Sequence, residues 1–199
     1  GWEHRQCSTL RRWSSDGRVW SGHVVENLVP MINPLYLPAY WRARWALRDY
    51  PLYTVPHPRS EATMDASLAM ENFDYFMSVR LERLDAFRAW LSRYFGVTAA
   101  IDEAGLAAID AWMKRYGGGI VEDYFTTSRA FAHYEPAWTG RLRGCNTVVD
   151  LGIFFGEFLI ARRPHLRWVC DLRCPEGNVP EDFNDFGRPH IGGFTRPWT

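Results

Sequence analysis

The residues in this chain best suited to nucleophilic chemistry are its four cysteines, Cys7, Cys145, Cys170 and Cys174. Cys145 directly precedes the run Asn146 to Arg162, whose apolar composition reads as a buried helix. A helix N-terminus stabilises a thiolate, and a histidine within reach would complete a nucleophile and its general base. His190, in Pro-His-Ile-Gly-Gly-Phe, supplies such a histidine on a stretch that reads as a strand. Against this stands the simpler role of a small, weakly polar residue packed at a helix end.

Three other constellations invite a chemical reading. Cys170 and Cys174 are four apart, with His165 and His190 in the neighbourhood. A structural zinc needs two tight ligand pairs, and no second pair is recognisable, so these read as core thiols and neither metal nor cofactor is expected. Asp150 and Glu157 fall on one helical face together with Asn146. Seven residues separate the two carboxylates by ~10 Å along the axis, too far to share one proton or one ion. They are expected to bond arginines or backbone groups of neighbouring segments, with Asn146 in the same stripe. The stretch Glu181, Asp182, Phe183, Asn184, Asp185, Phe186 is acidic and aromatic. It lacks the alternating acids and closing Glu of a calcium loop and reads as a partner-binding loop. No Gly-rich dinucleotide turn, phosphate loop or serine elbow occurs, which removes nucleotide-binding and α/β-hydrolase classes.

The elements that must hold these residues are mostly helical. Prolines at 30, 34, 38, 51, 56 and 58 break the early chain into extended pieces, with one short helix between Pro38 and Tyr50. Apolar residues at Phe73, Phe76, Met77, Leu81, Leu84, Phe87, Leu91 and Tyr94 recur in steps of three and four, predicting a helix over about 65–95 ended by Gly96. Arg80, Glu82, Arg83, Asp85, Arg88 and Arg93 make its polar face. A second helix is predicted over about 102–116, stopped by Gly117, Gly118 and Gly119. A short helix is assigned around Val121–Ala132. The helix over 146–162 is apolar on most of its circumference, so it is buried on several sides. Its Gly152 and Gly156 share a face and suggest a closely packed neighbouring backbone. Alternation over Leu166–Leu172 predicts a half-buried strand, and a second lies near His190–Phe194. The architecture expected is α+β: three main helices around a buried central helix, with a small antiparallel sheet drawn from the proline-rich part and the C-terminal strands.

The 199 residues fit a single domain over 31–199, preceded by residues 1–30 that carry Trp2, Trp13 and Trp20 without periodicity. Those thirty residues read as an N-terminal arm or a non-native extension before Met31, dispensable for folding. Twenty-three basic residues balance twenty-three acidic ones, which argues against a general polyanion binder and so against nucleic acid. No secretory pattern is visible, and Val148–Ala161 is too short and too interrupted for a bilayer span, so a cytoplasmic protein with free thiols and no membrane partner is expected. Trp, Tyr and Phe number ten, nine and twelve, and nearly every basic residue is arginine, the composition of a core rich in rings or of an interface.

Two resemblances carry functional expectations. The order of Cys145 at a helix start and His190 on a later strand resembles papain-like cell-wall peptidases. The residues around their cysteine (Asp-Cys-Ser-Gly) are absent, since Gly144 and Asn146 flank Cys145 here. More widely, Leu106, Ile109, Asp110 and Trp112, then Asp150-Leu-Gly-Ile-Phe-Phe-Gly-Glu157 and Leu166-Arg-Trp168, resemble small uncharacterised bacterial proteins of immunity-protein type, over residues 85–170. That resemblance implies a non-enzymatic protein that binds and inhibits a toxin. A thiol hydrolase built on Cys145 and His190 is the alternative.

Overall fold

The computed structural model describes residues 37–58, 64–121, 130, 136–172 and 186–194. Among these the chain forms α1 (Leu37–Ala46), α2 (Ala66–Phe95), α3 (Glu103–Ile120) and α4 (Gly144–Arg162), then β1 (Arg167–Cys170) and β2 (Pro189–Gly192). Single 3-10 turns follow α1 (Leu47–Asp49) and precede α4 (Gly140–Arg143). The α+β, mostly helical class expected from the sequence is the class observed. The arm over 1–30, the short helix around Val121–Ala132 apart from Ala130, and most of the acidic loop lie outside the described residues.

Helix boundaries follow capping chemistry. Asp65 accepts hydrogen bonds from the Ser67 and Leu68 amides at 2.9 and 3.0 Å, opening α2, and Gly96 closes it in the left-handed conformation. Asp102 caps α3 by accepting from the Gly105 amide at 2.8 Å. The end of α3 differs from expectation: the helix continues through the three glycines to Ile120. Packing explains the continuation. At Gly119 a Cβ would lie 2.7 Å from Ala43 Cβ and 2.8 Å from the Tyr40 carbonyl, so the missing side chain lets α1 cross α3 at close range. Tertiary contact outweighs the ~1 kcal/mol that helical glycine costs.

The core lies between the four helices. Leu47, Tyr50, Phe87, Trp90, Leu91, Ile109, Trp112, Ile120, Ile153 and Phe154 are all buried in one cluster. Much of the aromatic load is here. Trp90 meets Tyr50 edge-on at 4.8 Å and Trp112 at 5.9 Å, and its indole N–H donates to the Ala46 carbonyl at 3.0 Å. A smaller cluster, Met64, Ala69 and Phe186, sits apart from it. Leu81, expected on the apolar stripe of α2, is exposed.

The sheet is a two-stranded antiparallel ribbon, with Trp168 opposite Ile191 and Val169 opposite His190. With residues 31–36 outside the described residues, the expectation that the proline-rich part contributes strands is corrected for residues 50–58, which join no strand among the described residues. Their backbone groups are met by side chains. Arg143 donates to the Tyr50 carbonyl, Arg83 to the Leu52 carbonyl, the Tyr53 amide donates to Asn146, and Asn72 takes both polar groups of His57. A segment whose donors and acceptors are satisfied in this way needs no ladder. The glycine pair on α4 is also corrected. A Cβ on Gly156 would overlap the indole of Trp168, so a side chain packs there and no backbone does, while Gly152 faces open space. Counted with its 3-10 turn, α4 (Gly140–Arg162, 23 residues) is long and apolar enough to cross a membrane, contrary to the sequence estimate of its length. Half of it is buried in this fold.

Candidate functional site

The polar stripe of α4 is a set of ties to the rest of the chain. Asn146 is fully buried and uses its whole amide: Oδ1 accepts from the Tyr53 amide at 2.8 Å, and Nδ2 donates to the Trp138 and Arg143 carbonyls, each at 2.8 Å. One turn on, the fully buried Asp150 accepts from Arg83 Nε at 2.7 Å, from a terminal Arg83 nitrogen at 2.6 Å and from the Tyr50 hydroxyl at 2.5 Å. Two turns further, Glu157 accepts from Arg80 Nε at 3.1 Å and the Trp168 indole N–H at 2.9 Å. The pairing of Arg83 with Asp150 and Arg80 with Glu157 sets α2 antiparallel to α4. Arg80 and Arg83 therefore leave the solvent face to which their spacing assigned them.

Burial lifts the Asp150 carboxyl above the ordinary carboxylate range, and hydrogen bonds from Arg83 and Tyr50 pull it back in part. Burial also lowers the Arg83 guanidinium, but the bond to Asp150 and its charge outweigh this and raise it overall. The two shifts pull opposite ways on the ion pair. Geometry decides for the ionised form at neutral pH, because a bidentate guanidinium and a hydroxyl all donate to one carboxylate. Arg83 also lies over the Tyr53 ring at 5.4 Å, so the guanidinium has no room for a substrate. This constellation is a buried clamp without access for a reacting molecule.

The thiol and histidine of the hydrolase alternative are not brought together. Cys145 is buried at the start of α4, and burial pushes its thiol up to about 11, the reverse of an activated nucleophile. Trp168, Pro189 and Ile191 line a shallow apolar groove with Gly152, Gly156 and Leu159 of α4. Val169 and His190, the next pair along the ribbon, therefore point from its other face. The Gly156 level lies ~16 Å along the helix from Cys145. His190 Nδ1 is 3.1 Å from the Arg188 carbonyl. Cys170 is a half-buried free thiol in β1, Cys174 lies outside the described residues, and His165 is exposed. Among the described residues no three His, Cys, Asp or Glu side chains gather as metal ligands.

Of the loop expected to bind a partner, Glu181, Asp182, Phe183 and Asp185 lie outside the described residues. Phe186 is corrected: it packs in the cluster with Met64 and Ala69 and is unavailable to a partner.

The surface feature that sequence reasoning missed is on α1. Trp41 is 65% exposed and Trp45 57%, among the three most exposed large hydrophobic side chains of the described residues, with Phe194 at the C-terminal end of the ribbon the third. Both line a concavity of about 650 Å³ with Arg44, Leu47, Arg48, Gly140 and Arg143. The rings are held from behind. Tyr40 meets Trp41 edge-on at 5.4 Å, and Tyr94 meets Trp45 edge-on at 5.5 Å. Arg42 fixes α1 to the end of α2 by donating twice to the Tyr94 carbonyl, at 3.0 and 2.7 Å. The run Tyr40-Trp41-Arg42-Ala43-Arg44-Trp45 carries the signal, but short-helix periodicity cannot say which rings face inward. Comparison with protein-family models, with curated proteins and with solved structures finds no match.

Proposed function

We propose that this chain is a non-enzymatic protein-binding module, an immunity-type inhibitor of a bacterial toxin, and that it meets its partner through the α1 concavity. The observation that carries the reading is the exposure of Trp41 and Trp45 beside Arg48, on rings held by Tyr40 and Tyr94. Tryptophan and arginine dominate the energetics of protein interfaces, and rings already held in place lose little freedom on binding. The polar constellation with the best chemistry, around Asp150, is consumed in holding the fold. The hydrolase alternative has no support from the geometry of Cys145 and His190. The inhibitor class itself rests on the resemblance of residues 85–170.

The test is protection of cells that express the product of the gene adjacent to this chain's own. The parent chain is expected to restore growth, and a Trp41→Ala/Trp45→Ala variant with an unchanged melting temperature is expected to lose that effect. Equal protection by the variant would remove the α1 face from the interaction, and absence of protection by the parent would remove the inhibitor reading.

A further inference from the structure

We infer that the α1 concavity receives an acidic, extended segment of the partner protein, its carboxylates set against Arg48 and Arg143 and its apolar atoms against Trp41 and Trp45. This rests on the binding-module reading and specifies the chemistry of the partner.

The charge argument is local. The chain as a whole is neutral, yet the charged residues lining this concavity are Arg44, Arg48 and Arg143, with no acid among the described lining residues. Arg48 is exposed in the 3-10 turn after α1 and makes no ion pair among the described residues. Arg143 spends one terminal nitrogen on the Tyr50 carbonyl at 3.0 Å, which holds its guanidinium at the wall of the concavity. A carboxylate is the acceptor that matches a guanidinium edge. Trp41, Trp45 and Leu47 give the walls an apolar part, which a partner that offers charge alone would leave uncovered. A protein segment that alternates acids with apolar residues meets both requirements. Nucleic acid is the other polyanion that stacks on indoles. It needs a basic track along its backbone, and three arginines on a neutral chain are a patch and not a track.

The experiment titrates the full chain, by calorimetry at about 50 mM salt, with poly-L-glutamate and with an oligothymidylate of matched charge. Arg48→Glu is compared with Arg167→Glu, which makes the same change in net charge on β1, beyond the far end of α4. Poly-L-glutamate is expected to bind, Arg48→Glu to weaken it by about tenfold, and Arg167→Glu to alter it by less than about twofold. Tighter binding of the oligothymidylate than of poly-L-glutamate would overturn the inference. So would no binding of poly-L-glutamate, or equal loss in both variants, which would mark a response to net charge. The two readings separate in cells. Protection that is lost in Trp41→Ala/Trp45→Ala but kept in Arg48→Glu leaves the binding module standing and removes the acidic segment. Poly-L-glutamate binding that is sensitive to Arg48, without protection by the parent, leaves the acidic site and removes the inhibitor reading.

Discussion

Arg83 and Asp150 stand 67 residues apart in the chain and meet edge to edge, Nε to Oδ1 at 2.7 Å and a terminal nitrogen to Oδ2 at 2.6 Å. The same guanidinium donates to the Leu52 carbonyl at 2.9 Å, so a single side chain joins α2, α4 and the extended segment between α1 and α2. Removing the carboxylate leaves a charge that is 11% exposed and a buried Tyr50 hydroxyl without their acceptor. Asp150→Ala is expected to cost about 3–5 kcal/mol, the range for breaking a buried pair by deleting one partner. Asp150→Asn, which keeps the shape and one acceptor, is expected to cost less. The midpoint of urea unfolding at neutral pH checks both.

The two glycines of α4 separate by sign. Gly152 faces open space, so Gly152→Ala is expected to stabilise by up to ~1 kcal/mol through helix propensity. A methyl at Gly156 overlaps the Trp168 ring, which is itself held by Glu157 and Phe76. Gly156→Ala is expected to destabilise by about 1–3 kcal/mol, as overpacking does. Thermal melts of the two variants should move in opposite directions.

What could be read in the sequence, and what could not, follows from the range of the forces involved. The course of α2 and α4 was legible because apolar period, Asp65 and Gly96 all act within a turn or two. The polar stripe of Asn146, Asp150 and Glu157 was legible as a stripe, since position on a helix follows from spacing alone. Its partners were not. Nothing local distinguishes Arg80 and Arg83 from Arg88 and Arg93, and only the docking of α4 selects them. The continuation of α3 through Gly117–Gly119 was hidden for the same reason, because the contact with Ala43 and Tyr40 crosses the fold. The α1 face was missed because Tyr40, Trp41 and Trp45 share one side of a ten-residue helix, and rings on one side read as a core face while the small Ala43 and Ala46 are what is buried.

Cys145 is expected to be inert. With its thiol pushed up to about 11 by burial, alkylation by iodoacetamide at neutral pH should be far slower than for an unactivated thiol. Peptide mapping by mass spectrometry across pH 7–11 would follow this residue separately from the other cysteines, in the range where a free thiol titrates near ~8.5. His190→Ala should leave its profile unchanged. A Cys145 phase rising well below pH 8, and lost in His190→Ala, would restore the hydrolase.

Alkaline conditions should weaken the fold. Burial, then the charge of Asp150 and the hydrogen bond to it, raise the Tyr50 hydroxyl well above its ordinary 10.0. Cys145 rises from 9.0 to about 11 by burial. For each group the folded chain holds its proton where the unfolded chain releases it. The stability this provides is complete below the unfolded value and is lost as pH rises through the folded one. Melting temperature should therefore fall from about pH 9 upward, first through Cys145 and then through Tyr50. Tyr50→Phe is expected to flatten the fall above pH 10.0. At neutral pH the same variant should lose about 1.5–3 kcal/mol with the hydrogen bond to Asp150.

The reach of the α4 stripe has a meaning in time as well as in space. Asn146 and Asp150 hold residues made 93 and 100 positions earlier. At ribosomal rates of about 5–20 residues per second, Tyr50 waits on the order of 5–20 s for its carboxylate. From the synthesis of Arg83 to that of Asp150, 67 residues later, the chain holds the cationic half of the clamp and no anionic half. A nascent chain halted before Asn146 lacks both ties to the segment after α1, and its Arg83 stays hydrated because an unpaired charge resists burial. The arrival of α4, late in synthesis, is the event that closes the clamp.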